Sequence, residues 1–135
     1  MPFLYPLCVN YGCPKGDTCL RLCAARQLPE SMEHCMMLNP RRVASVKESC
    51  PYYRSIVKVR YAKGFIGMLD ELTCRQARSV LPALMNCFSR RTYFRIRKGE
   101  RSLSPSEQKQ VLRIFKECGY TGPTEFDEYF EEFEW

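Results

Sequence analysis

Six of the chain's nine cysteines, Cys8, Cys13, Cys19, Cys23, Cys35 and Cys50, fall before residue 51. Nine is high for 135 residues, and an odd number cannot all pair within one chain. A reducing compartment disfavours disulfides, so some thiols are directed to a metal and the rest serve as small core residues. Cys8, Cys13 and Cys19 follow a C-x4-C-x5-C spacing, and Cys50 returns later just ahead of a proline. Four such thiolates suit one closed tetrahedral zinc, with two ligands from a loop, one from a helix start and one from a strand entry. A four-cysteine iron–sulfur cluster fits the same letters. Cys23 lies four residues after Cys19 and can replace it as a ligand. Cys35, Cys74, Cys87 and Cys118 have apolar neighbours and read as core. His34, the only histidine, reads as structural beside a short buried strand, "HCMML".

The first half is otherwise loop-rich. "GCPKGD" reads as a turn, with Asp17 as the cap of a helix running to the stop at Pro29. "SIVKVRYA" alternates Val57, Val59 and Tyr61 against Lys58 and Arg60, the pattern of a half-buried strand that ends at Gly64. The pattern then turns helical. Thr73 with Gln76 forms a capping-box pair ahead of Ala77, Val80, Leu81 and Leu84, in a run interrupted by Pro82. Ser104-Pro105-Ser106-Glu107 is a stronger start, and Gly119 is its stop. Phe126, Tyr129, Phe130 and Phe133, three and four residues apart, predict a last amphipathic helix.

The charge is strongly segregated. Between residues 89 and 113, eight basic residues stand against Glu100 and Glu107, a net +6, whereas residues 124–135 carry six carboxylates and no cation. Such separation points to a surface facing a polyanion. Within "SRRTYFRIRKGERSLSP", a period of two gives a hairpin turning at Lys98-Gly99-Glu100. A period of 3.6 gives a short helix capped by Ser89, with Thr92, Tyr93 and Ile96 inward and Gly99 as its stop.

The letters Ser89, Thr92, Arg95, Gly99, Ser104-Pro105, Val111-Leu112, Glu117 and Gly119-Tyr120 carry a resemblance. From Ser89 to Tyr120 the chain is similar to the latter part of the helix-turn-helix headpiece of the lactose-repressor family. The resemblance implies a recognition helix over the first run and a third helix over "SPSEQKQVLRIFKECGY". It places Arg90, Arg91 and Arg95 at base-reading positions, with Ser89, Thr92 and Lys98 near phosphates. Arg101 adds a further cation beside them. Phe94 and Arg97 depart from that family's pattern, and both bear on which helix face is buried. Across its length, through "CPKGDTCLR", "LNP", "CPYYR" and "TYFRIRKGERSLSPSEQ", the chain also resembles a group of small uncharacterised proteins of Bacteroides-type bacteria.

No stretch approaches the roughly 20 apolar residues of a membrane span. The start, "MPFLYPLCVNYGC", lacks the basic opening and apolar run of a secretory signal, so a cytoplasmic location is expected. No glycine-rich phosphate loop or nucleophile context is present, which points away from an enzyme. The expected fold is α+β. A cysteine-rich module over residues 1–63, with one or two short strands, joins a helical bundle over residues 64–135 containing a helix-turn-helix-like unit, the two forming one unit or nearly so. The expected function is a small DNA-binding transcriptional regulator or accessory transcription protein with a structural metal site. It would act on double-stranded DNA, with a homodimer or a protein partner open. The alternative is a protein–protein adaptor that docks through the basic helical face and the acidic aromatic C-terminal helix.

Overall fold

Two reciprocal caps organise the C-terminal half of the computed structural model, which describes residues 1–2 and 4–135. Among the described residues the elements are, in order, α1 (Leu20–Arg26), α2 (Pro40–Ser45), β1 (Lys58–Lys63), α3 (Ile66–Asp70), α4 (Cys74–Phe88), α5 (Arg90–Lys98), α6 (Pro105–Glu117) and β2 (Glu128–Phe133), an α+β arrangement. Thr73 Oγ1 accepts the Gln76 N–H at 3.2 Å while Gln76 Oε1 accepts the Thr73 N–H at 3.0 Å, which starts α4. Ser104 and Glu107 make the same exchange at 3.3 and 2.9 Å ahead of α6, with Pro105 at its first position. Both signals join residues three apart, so local sequence suffices to form them. Pro82 does not divide α4, which runs through it. Among the described residues no helix is long and apolar enough to cross a membrane.

The chain divides into two units, one of Met1–Val57 with Phe133–Trp135 and the other of Lys58–Glu132. β1, taken above as the end of the cysteine-rich half, thus belongs with the helices that follow it. In the second unit β1 and β2 pair antiparallel, with the Asp127 N–H donating to the Gly64 carbonyl at 2.9 Å. Ala62 and Leu103 exchange backbone hydrogen bonds on the other side of β1, at 3.1 and 2.8 Å. Phe65, Tyr93, Ile96, Leu84, Val80, Leu103, Val111 and Phe115 are buried beneath. Phe65 is central, with the rings of Tyr93, Phe115 and Phe126 all 6.2–6.3 Å away.

The helix expected over Phe126 to Phe133 is a strand. Phe130 stacks on Tyr61 of β1 at 5.5 Å, and Tyr129 faces the core, with Arg60 lying 3.8 Å from its ring centroid. Aromatics at spacings of three and four imitate a helical stripe. The adjacent pair Tyr129–Phe130, however, is served on both faces of a strand, and aromatics favour that pleated setting. The backbone hydrogen bonds come from β1, which is about seventy residues away in sequence and invisible to a local pattern.

In the first unit Tyr5, Leu7 and Ala25 are buried, with Trp135 edge-on to Tyr5 at 5.1 Å. Asp17 does not cap α1. The cap position is Cys19, which follows a 3-10 turn at Gly16–Thr18, and Asp17 instead pairs with Arg26 at 2.7 Å. "HCMML" is not a buried strand: Met37 makes a single parallel bridge to Leu7, and Cys35, Met36 and Met37 are exposed. Its backbone bonds run to Leu7 alone among the described residues, at Met36 and Leu38, and Leu38 is half-buried.

Candidate functional site

The basic segment is helical, not a hairpin. One residue, Ser89, separates α4 from α5 and reverses the chain at φ 65°, ψ 157°, a region otherwise left almost wholly to glycine. Its Oγ accepts the Thr92 N–H at 3.4 Å, which caps α5. At the other end Gly99, with φ 81°, returns its N–H to the Arg95 and Ile96 carbonyls. Tyr93 and Ile96 are 1% and 0% exposed and lock one face of α5 into the core. Arg91, Arg95 and Lys98, at i, i+4 and i+7, form an exposed stripe on the far side, with Arg90 exposed at the first helical position.

Phe94 and Arg97 do not turn the arginine face inward. Phe94 packs half-buried against the core, and the Arg97 guanidinium lies over the Tyr93 and Phe94 rings at 6.0 and 5.4 Å. Arg97 is thereby accommodated with its guanidinium over the aromatic rings, partly buried rather than forcing the arginine face inward.

The charge placement costs helix stability. The first turn of α5 carries no acid, and Arg90 and Arg91 occupy positions where the helix dipole favours one. Arg91 and Arg95 repel across one turn, at roughly 0.2–0.5 kcal/mol. Arg26–Asp17, Arg101–Glu107 and Arg113–Glu117 are ion pairs among the described residues, and none of these involves Arg90, Arg91, Arg95 or Lys98. Arg101 differs from these four. Its guanidinium is held by Glu107 at 2.8 Å, where the same carboxylate closes the α6 cap. Burial works against ionisation of Glu107, but the Ser104 amide and Arg101 together hold its pKa below the ordinary glutamate value.

In the first unit, Cys8, Cys13, Cys19 and Cys50 all line one small cavity of about 20 Å³, enough for a single water-sized occupant. All nine thiols are free. The four do not converge at ligand range: among the described residues no three His, Cys, Asp or Glu side chains are grouped so as to hold a metal ion. Cys23 turns away, its Sγ 3.7 Å from the carbonyls of Gly16 and Asp17.

A model of a family of unknown function, DUF6078, matches residues 1–135. The chain belongs to that family. No curated protein and no solved structure matches it.

Several thiols of this DUF6078 chain lie outside the cores expected for them. Cys35, Cys74 and Cys87 are exposed, whereas Cys118 is half-buried and packs against the core as expected. Cys74 and Cys87 occupy the two ends of α4, on turns that face outward, and Cys87 Sγ is 3.6 Å from Gln110 Oε1. His34 is exposed, because the strand expected beside it is absent. Sequence reasoning passed over Lys15, Arg21 and Lys47, which share the cysteine cavity. They are scattered along the chain, so no spacing pattern could have grouped them.

Proposed function

We propose that this DUF6078 protein binds double-stranded DNA through α5, as a small transcriptional regulator or accessory transcription protein. One observation carries the reading. Arg91, Arg95 and Lys98 form an exposed cationic stripe without carboxylate partners among the described residues, on a helix whose opposite face is locked into the core. Such a stripe is costly for an isolated fold and favourable against a polyanion, where each cation releases condensed counterions. A helix also fits the major groove, and the arginine fork matches guanine O6 and N7.

In this reading α4, α5 and α6 act as a helix-turn-helix-like unit. Arg90, Arg91 and Arg95 face base edges, and Ser89, Thr92, Lys98 and the first amides of α5 face phosphates. Arg101 stays with Glu107 and contributes only to the general field. A single unit of this size makes few contacts, which favours binding as a homodimer on paired half-sites. The adaptor alternative loses its acidic aromatic helix, since that segment is β2.

Fluorescence anisotropy with random duplex DNA at several salt concentrations tests the proposal. Binding that weakens steeply with salt and is lost in the R91A/R95A/K98A variant supports it. Absence of binding at low salt, or binding unchanged in that variant, overturns it.

A further inference from the structure

We infer that a cavity between α3, α4 and α5 binds a free α-amino acid with an apolar side chain. All three helices belong to the second unit, and the cavity measures about 220 Å³. Each helix gives it a pair of residues one turn apart: Ile66 and Asp70 from α3, Ala77 and Leu81 from α4, Tyr93 and Arg97 from α5. Ile66 and Asp70 are exposed, Leu81 and Arg97 half-buried and Tyr93 fully buried, so the cavity runs from a mouth at α3 to a floor at α5.

The wall specifies the ligand. It carries one charge of each sign, Asp70 and Arg97, and neither has an ion-pair partner among the described residues. A zwitterion answers both at once. Its carboxylate accepts from the Arg97 guanidinium, whose fork matches a carboxylate, and its ammonium donates to Asp70. A ligand with a single charge would satisfy one of these residues and be repelled by the other. The remaining lining is apolar, with Leu69 and Leu72 beside Leu81 and the Tyr93 ring. A polar side chain would lose its hydration there without replacement. Roughly 150 Å³ of apolar cavity accommodates a benzene ring. The larger space here admits a side chain of leucine or phenylalanine size together with its amino and carboxylate groups.

Tyr93 supplies an independent sign. Its hydroxyl is buried and has no hydrogen-bond partner among the described residues. Buried phenols ordinarily find one, and an unmet hydroxyl costs stability that a phenylalanine would not. Arg97 lies one turn along the same helix, with its guanidinium 6.0 Å from the Tyr93 ring centroid. A carboxylate held by Arg97 gives the hydroxyl its acceptor. The site goes beyond the DNA-binding reading and does not rest on it, since Arg91, Arg95 and Lys98 take no part in the cavity wall.

The test is calorimetric titration of the full chain with L-leucine and L-phenylalanine. A single molecule should bind per chain. N-acetyl-L-leucine, which lacks the ammonium, and L-leucinamide, which lacks the carboxylate, should each bind at least about tenfold more weakly. Asp70→Asn and Arg97→Gln should each weaken L-leucine binding by roughly 10- to 100-fold. Tyr93→Phe should weaken it by roughly 3- to 10-fold without lowering the melting temperature of the ligand-free chain, a combination that a purely structural tyrosine would not give. Arg113→Gln, outside the cavity, should change nothing. Should the cavity variants fail to fold, amide NMR of the unaltered chain with L-leucine should show shifts at Ile66, Asp70, Leu81 and Arg97 and none along the exposed face of α6. No binding at millimolar L-leucine or L-phenylalanine, equal binding of the two blocked analogues, affinity unmoved in both charge variants, or shifts confined elsewhere overturns the inference.

Discussion

Asp127 and Gly64 are locked together across the mouth of α3. The Asp127 N–H donates to the Gly64 carbonyl at 2.9 Å, and its carboxylate accepts the Ile66 and Gly67 amides at 2.8 and 3.0 Å. A residue of the acidic C-terminal stretch thereby caps a helix about sixty positions earlier. Gly64 has φ +70°, and a Cβ there would lie 2.7 Å from Asp127 Oδ2.

Gly64→Ala should therefore destabilise on two counts, backbone strain and displacement of the capping carboxylate. A loss of about 2 kcal/mol is expected, against about 1 kcal/mol for Asp127→Ala, which removes the cap alone. Urea denaturation of both variants and the double variant checks this. The double variant should lose less than the sum, because the clash disappears with the carboxylate.

Ser89 combines a useful side chain with an unfavourable backbone. Ser89→Gly gives up the hydroxyl cap, worth only a few tenths of a kcal/mol in that exchange, and relieves a conformation costing roughly 1–3 kcal/mol. The glycine variant should be more stable by about 1 kcal/mol. Ser89→Ala, which keeps the strain and loses the cap, should be less stable by a similar amount. Thermal melts of the two variants should move in opposite directions.

Glu107 introduces a dependence on acid. Its folded pKa lies below the ordinary value of 4.5, so the ionised form is favoured in the folded chain. Its stabilisation is fully present above that value and is lost as pH falls through the lower, folded one. Glu107→Gln should thus cost about 1 kcal/mol at neutral pH and converge with the unaltered chain once the pH falls below the lowered, folded pKa. Denaturation midpoints across this range check the convergence. A constant difference would mean that the charge on Glu107 contributes nothing.

The exposed cations of α5 should separate into two classes. Each arginine–guanine contact is worth roughly 1–3 kcal/mol of discrimination, so Arg91→Ala and Arg95→Ala should narrow the gap between preferred and random duplexes. Lys98→Ala should weaken all sequences alike and reduce the salt slope by about one. Selection of preferred duplexes from a random pool, followed by salt titration, distinguishes the classes.

Much of the second unit was legible because its signals are local. The Thr73–Gln76 and Ser104–Glu107 caps join residues three apart, and Gly99 and Gly119 end their helices with positive φ of 81° and 85°. The inward face of α5 also follows from periodicity, since Tyr93 and Ile96 lie on one side of any helix over that stretch. The α+β class follows from β1 and these helices together.

Tertiary structure decided what depends on distant partners. Whether Tyr129 and Phe130 line a helix or a strand turns on hydrogen bonds from β1, and the aromatic spacing alone fits both. Arg101 looked like any other cation of the basic segment until folding brought it onto Glu107 at 2.8 Å. Cysteine spacing nominated Cys8, Cys13, Cys19 and Cys50. Only the path of the loops around α1 could bring them to one cavity, exclude Cys23 and add Lys15, Arg21 and Lys47 to its wall. Neighbouring residues suffice for turns and caps, because the hydrogen bonds that form them close within a few positions. Strand pairing and cavity walls are made by segments far apart in the chain, and only the folded packing selects among the partners that the letters allow.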